Sequence, residues 1–269
     1  TIVEIANRAV TDVWLGGFMI VHPPADPYDF HKKDFLIHLT QKEVFWWATY
    51  TPYNRVDVDG IRTQIPSFNN YKGFMFVWAI DGDKTQIEID WDFLKGDCVI
   101  FGPGNGRAFQ YNAIPHQAEA IVGDRILNLD GTEYCYIPTQ IMFEGFAEGF
   151  AGLGGTLAIC SLDIDFILSI QPEFDINFSI WNQYEVNQSR HLDFYQFEQY
   201  DLTTDLQLHI TDIFTPKWHA AATANGNSLW AVFFQYVGGF MWGSNVWQHP
   251  AAAAAGSATV ILPPVPLAK

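Results

Sequence analysis

One stretch of the chain leaves little choice of fold. From Phe74 to Asn112 the sequence reads FMFVWAIDGDKTQIEIDWDFLKGDCVIFGPGNGRAFQYN. Apolar and polar residues alternate, break at Asp81-Gly82-Asp83, alternate again, and close on Lys95-Gly96-Asp97 and Gly102-Pro103-Gly104. Alternation at period two between turn formers predicts three or four antiparallel strands joined by tight turns.

The same grammar runs through the rest of the chain. Strand-like runs are predicted at Val13 to Val21, Phe35 to Thr40, Val44 to Thr51, Phe74 to Ile80, Gln86 to Trp91, Cys98 to Phe101, Gln117 to Val122 and Tyr134 to Phe143. Others follow at Thr156 to Ile170, Ile176 to Tyr184, Leu192 to Tyr200, Leu206 to Ile213 and Ser228 to Val237. Turn formers such as Pro23-Pro24, Asp59-Gly60, Asp130-Gly131 and Asn225-Gly226 separate them. Thr40-Gln41-Lys42-Glu43 resembles a capping box, but β-forming residues follow it. Short helical turns are expected only at Pro115 to Ala120 or Phe143 to Leu153. The expected fold is all-β: a jelly-roll-like antiparallel β-sandwich with inserted loops and extended termini. Residues 1–250 form one sandwich domain, or two β-subdomains dividing near 125–155, and residues 251–269 form an extended C-terminal arm. Three prolines in Ile261 to Leu267 keep that arm out of helix.

Composition narrows the partners. The 269 residues are 49% hydrophobic and 16% aromatic, enough for a large core and incompatible with disorder. The net charge is −16, with 14 Lys plus Arg and no basic run. Direct nucleic-acid binding and attachment to an anionic membrane are therefore excluded as expectations. No apolar run is long enough for a transmembrane helix. Three cysteines, Cys98, Cys135 and Cys160, lie in separate apolar runs, which reads as three buried thiols without a disulfide framework. The chain starts at Thr1 rather than Met, which reads as processing from a precursor or a trimmed start.

No catalytic set emerges. The eight His residues are scattered, with no paired-ligand spacing. Asp57-Val58-Asp59-Gly60 and Asp81-Gly82-Asp83 place alternating carboxylates beside a glycine, as calcium loops do, but neither is followed by the Glu of such a loop. Asp163, Asp165, Glu173 and Asp175 are carboxylates of the type a glycosidase uses, though their alternation with apolar neighbours reads more simply as one wet face of a strand. No cofactor and no metal are expected.

The aromatics are the more telling residues. Adjacent Trp46 and Trp47 must point to opposite faces of a strand, so one of them turns away from its own core. Trp242 and Trp247 sit in a glycine-rich cluster near the C-terminus, and Leu262, Val265 and Leu267 belong to the apolar arm. These seven residues are the candidate subunit interface.

Two resemblances follow. Gly96, Asp97, Pro103 and Gly104 match the second half of a cupin motif, where a metal-binding His follows the Pro-Gly. Here Arg107 stands near that position, and no His occurs between His38 and His116 to supply the first half of the motif. This local resemblance, about forty residues long, implies a metal-free cupin-like sandwich that binds a small molecule or carbohydrate. In general character the chain also resembles jelly-roll capsid proteins of the picorna-like type: many strands, no initial Met and an extended apolar C-terminus. That resemblance implies a virion subunit whose partners are copies of itself or related capsid chains. It is the leading expectation, with the binder, cytoplasmic or secreted, as the alternative and a carboxylate glycosidase as a third.

Overall fold

A computed structural model describes residues 1–22, 31–56, 60–69, 71–102, 107–146, 153–168, 173–181, 187–195, 197–201, 218–224, 229–237, 240–245, 247–248, 255–256 and 258–263. Among these residues there is no helix, and the secondary structure is strand throughout. In chain order the strands are β1 (Ile2–Asn7), β2 (Val13–His22), β3 (His31–Leu39), β4 (Val44–Ala48), β5 (Tyr53–Val56), β6 (Arg62–Ile65), β7 (Lys72–Ile80), β8 (Leu94–Gly102) and β9 (Arg107–Asn112). Then come β10 (Ile126–Asn128), β11 (Ile137–Pro138), β12 (Gln140–Phe146), β13 (Leu153–Cys160), β14 (Ile164–Asp165), β15 (Glu173–Trp181), β16 (Asn187–Tyr195) and β17 (Phe197–Asp201). The last are β18 (Trp218–Ala224), β19 (Trp230–Val237), β20 (Phe240–Asn245), β21 (Trp247–Gln248), β22 (Ala255–Gly256) and β23 (Thr259–Ile261).

Four sheets stack face to face. The first has the order β4-β1-β8-β9 and the second β5-β6-β3-β2-β7. The third is β17-β13-β19-β20 and the fourth β16-β15-β18-β12-β21. In the first two sheets the pairs β1 with β8, β2 with β7 and β3 with β6 nest inside one another, the winding of a rolled-up hairpin. The β2–β3 hairpin within one sheet departs from a strict jelly roll, in which such neighbours change sheets.

Side-chain alternation connects the layers. Along β2, Val13, Leu15 and Val21 enter a core shared with Ile5, Phe45 and Trp47 of the first sheet. The intervening Phe18 and Ile20 enter a second core with Ala158 and Cys160 of β13 and Phe197 of β17. Strand β7 does the same, with Phe74, Trp78 and Ile80 on one side and Ala79 on the other. Sheet two is thus buried on both faces, and VWLGGFMIV and FMFVWAI are nearly unbroken apolar runs for that reason. On β13, Leu157 and Ile159 point away from the second core. Tyr200, in register with Leu157, meets Phe178 of the fourth sheet with ring centroids 6.3 Å apart.

Two glycines make the central strand fit. A Cβ on Gly16 would lie 2.7 Å from the Trp78 ring, and one on Gly17 would lie 2.3 Å from Phe35. Each side of β2 gives up a side chain to seat an aromatic from a neighbouring strand.

Several local expectations need correction. Gln86 to Trp91 forms no strand; it makes one bridge, Ile80 to Glu88, because Gln86 turns to φ 52° and Glu88 folds inward. Gln117 to Val122 is likewise irregular, with one bridge from Ala118 to Tyr134. No helical turn forms at Pro115 to Ala120, where the backbone is spent on contacts with the 133–135 segment. The capping-box residues close the β3–β4 loop instead: Glu43 accepts from Thr40 N (2.8 Å) and Thr40 Oγ1 (2.9 Å). Leu206 to Ile213, Asp57 to Asp59, and most of Phe143 to Leu153 beyond Phe146 lie outside the described residues.

The C-terminal segment is part of the body. β22 pairs with β11, and β23 lies between β10 and β14, antiparallel to the first and parallel to the second. Ala258, Val260 and Leu262 are buried in the second core.

Candidate functional site

A cavity of about 830 Å³ runs along β7 from Phe74 to Ala79. One wall is the first sheet and the chain around it: Val3, Trp91, Leu94, Cys98 and Tyr111. The opposite wall belongs to the second core: Leu127, Leu129, Tyr134, Leu162 and Trp230. At the β9 end the first sheet meets the third directly, the Phe109 and Phe234 rings lying 4.6 Å apart. The cavity exists because sheet two stops at β7 while the layers on either side continue past it.

Its far side is the end of β9 and the 113–117 segment, which is irregular yet firmly held. Ala113 N donates to Gly96 O (2.8 Å), Ala118 N to Asp92 Oδ1 (2.9 Å), and Cys135 N to Gln117 O (3.0 Å). Behind it, two fully buried carboxylates organise the following loop. Glu88 accepts from Asp124 N (2.6 Å) and Arg125 N (2.8 Å). Glu133 accepts from Val122 N (3.0 Å), Asn128 N (2.9 Å) and Asn128 Nδ2 (2.8 Å). Buried charge is tolerated here because several donors converge on each carboxylate.

Several titratable groups line the cavity, among them Cys98, Tyr111, His116 and Tyr134. Burial pulls the His116 imidazole down to about 4, so the ring is neutral at physiological pH. Burial also raises the Tyr111 phenol, which shares a hydrogen bond with Cys98, its cross-strand neighbour, and the Cys98 thiol is raised too. Tyr134 is raised first by burial and then by the carboxylates of Glu88, Glu133, Asp90 and Asp92. At neutral pH the aromatic wall therefore carries no charge, and the charge nearest Tyr134 is negative. Trp78 and Trp91 bury indole N–H groups with no acceptor among the described residues.

The backbone of β7 completes the site. Ile89 N donates to Ala79 O (3.1 Å), and Asp81 N donates to Ile87 O (2.9 Å). Both Ala79 and Asp81 thus direct their main-chain groups away from β2. The β2–β7 register is unbroken from Trp14–Ile80 to His22–Lys72. Met75 and Val77 share the parity of Ala79, so their N–H and C=O groups also point away from β2, into the cavity.

The residues singled out from sequence do not converge on this site. Trp47 is buried in the first core, and Trp46 is 60% exposed on the outer face of β4. The backbones of Trp242 and Trp247 pair with Gln235 and Met142, in different sheets. Leu262 is buried in the second core, and Val265 and Leu267 lie outside the described residues. The carboxylates considered for glycosidase chemistry serve the backbone: Asp163 accepts from Thr259 N, and Asp165 from Ile167 N and Leu168 N. Asp81 caps its own turn through Thr85 Oγ1 and Ile87 N. Asp175, His191 and Asp193 gather on one face of β15–β16, where His191 lies 3.2 Å from Asp193 and 3.0 Å from Asn177 Oδ1. His191 and Asp193 are exposed and Asp175 is half-buried, and the imidazole pairing with the Asp193 carboxylate accounts for the grouping. His116, Tyr111 and Tyr134 were not singled out in the sequence because nothing local distinguishes them; the cavity that unites them joins segments as distant in the chain as Val3 and Trp230.

No protein-family model matches the chain, and no curated protein or solved structure is detectably similar to it.

Proposed function

We propose that the protein is a binding module that holds a largely apolar ligand in the cavity beside β7. The observation that carries this reading is an aromatic-walled space of about 830 Å³, with the uncharged His116, Tyr111 and Tyr134 facing it. Apolar clefts of this size with a few convergent polar groups are the usual form of a ligand site. The Cys98 thiol on the wall is held protonated by burial. The reading keeps the metal-free sandwich of the cupin resemblance and moves its ligand to the free side of β7.

The test is tryptophan fluorescence, since Trp91 and Trp230 line the walls. Neutral aromatic glycosides and short apolar peptides are titrated against the protein and against Tyr111→Ala. Saturable quenching that weakens at least tenfold in the variant supports the reading. Absence of saturable quenching by either class removes it.

A second reading, assembly into a capsid shell, keeps one specific support. β4 is the outer strand of its sheet, and Val44 (54%) and Trp46 (60%) are exposed on it. An unprotected apolar edge of this kind is a template for association. Light scattering separates the two readings: megadalton particles favour the shell, a monomer the binder.

A further inference from the structure

We propose that the occupant of the cavity is an extended peptide that adds a strand to the free edge of β7. This rests on reading the cavity as a ligand site.

The argument begins with main-chain accounting. Buried N–H and C=O groups in a folded chain are almost always paired. Met75 and Val77 present two N–H and two C=O groups to the cavity, and among the described residues these have no partner. They repeat at strand spacing along a six-residue edge, about 20 Å in length at the usual rise per residue. Where the edge does find a partner, at Ala79 and Asp81, that partner is another main chain running antiparallel. A peptide strand continues that pattern toward Met75. Scattered ligand hydroxyls match a row of alternating donors and acceptors less completely.

The walls specify the peptide. An added strand would lie in the plane of sheet two, so its side chains would alternate between the same two walls. One set would meet Trp91, Leu94 and Tyr111, and the other Leu127, Tyr134 and Trp230. Apolar residues predominate on both walls, so the peptide carries mostly apolar side chains at consecutive positions, as β7 itself does. The carboxylates of Glu88, Asp90, Asp92 and Glu133 around Tyr134 disfavour an acidic peptide. The chain's own C-terminal tail is a poor occupant. Pro263, Pro264 and Pro266 lack the N–H groups that a ladder needs.

The probe is a seven-residue peptide of alternating valine and phenylalanine flanked by lysines, with a copy N-methylated at alternate residues and a neutral phenyl glycoside as controls. Amide hydrogen exchange of Met75 and Val77 is followed on the intact protein together with affinity. The expected result is slowed exchange at both amides on peptide binding, and at least a tenfold loss of affinity for the methylated copy. Val77→Pro, which removes one edge donor without touching the β2 ladder, should weaken binding similarly; the methylated peptide keeps the test decisive if that variant fails to fold. Equal binding of the methylated copy overturns strand addition. So does slowed exchange that grows with protein concentration without any peptide, which would assign the edge to a second copy. Binding of the glycoside alone overturns the peptide and leaves the cavity reading standing. Binding of neither probe removes both.

Discussion

At the scale of single residues, the fold depends on a few positions where space or charge leaves one solution. Gly16 and Gly17 are the clearest. Gly17→Ala places a methyl group 2.3 Å from the Phe35 ring, deep in the first core, and should cost about 1–3 kcal/mol in urea unfolding. Gly16→Ala, meeting Trp78 at 2.7 Å, should cost slightly less, since that contact is longer. Glu88 and Glu133 are a different kind of constraint. Glu88→Gln keeps the shape but replaces a carboxylate that draws two backbone N–H groups together, and should cost roughly 1–3 kcal/mol. His116 sets a pH dependence. Its folded pKa lies below the ordinary value of 6.5, so between pH 6.5 and about 4 the unfolded chain binds a proton that the folded chain refuses. Stability is full above pH 6.5 and falls as the pH drops through that window, by on the order of 2–3 kcal/mol. Acid titration of the wild type against His116→Leu, which lacks this loss, isolates the effect. A histidine between Pro115 and Gln117 gave no sign of this, because its pKa is set by distant walls.

At the scale of elements, β2, β7 and β23 carry the architecture. Apolar runs bounded by turn formers located β2 and β7 correctly as strands. The expected alternation fails over Phe74 to Ile80, which is apolar throughout, and the cause is one that sequence patterning leaves open: a strand buried on both faces and a buried helix segment look alike over so few residues. Gln86 to Trp91 shows the reverse error. Its alternation is good, but Glu88 is drawn inward by the Asp124 and Arg125 amides, and a contact 36 residues away outweighs local pattern. β23 was read as part of an extended arm, laid against its own domain or a neighbouring chain, and it fills the space between β10 and β14. Leu262→Ala should therefore cost about 2–4 kcal/mol, and the loss should be independent of protein concentration. A loss that grows on dilution would place Leu262 at a contact between copies instead.

At the scale of the molecule, four stacked sheets share cores in series, so damage to the second core should be felt on both sides. Phe18→Ala removes a ring stacked on Phe166 (centroids 4.2 Å apart) and tilted against Trp78 (5.3 Å), and should cost roughly 3–5 kcal/mol. Fluorescence and far-ultraviolet dichroism should then report one coincident transition; separate transitions would show the sheets on either side of that core unfolding independently. The all-β class, most strands and turns, and the opposed faces of Trp46 and Trp47 were legible in the sequence alone. All of these follow from short-range pattern. The folded chain was needed to show that sheet two has two cores, that Ala258, Val260 and Leu262 help close the second of them, and that a cavity opens along β7. Each of those depends on contacts between residues distant in the chain, and a pattern of period two carries no record of which layer a strand will face.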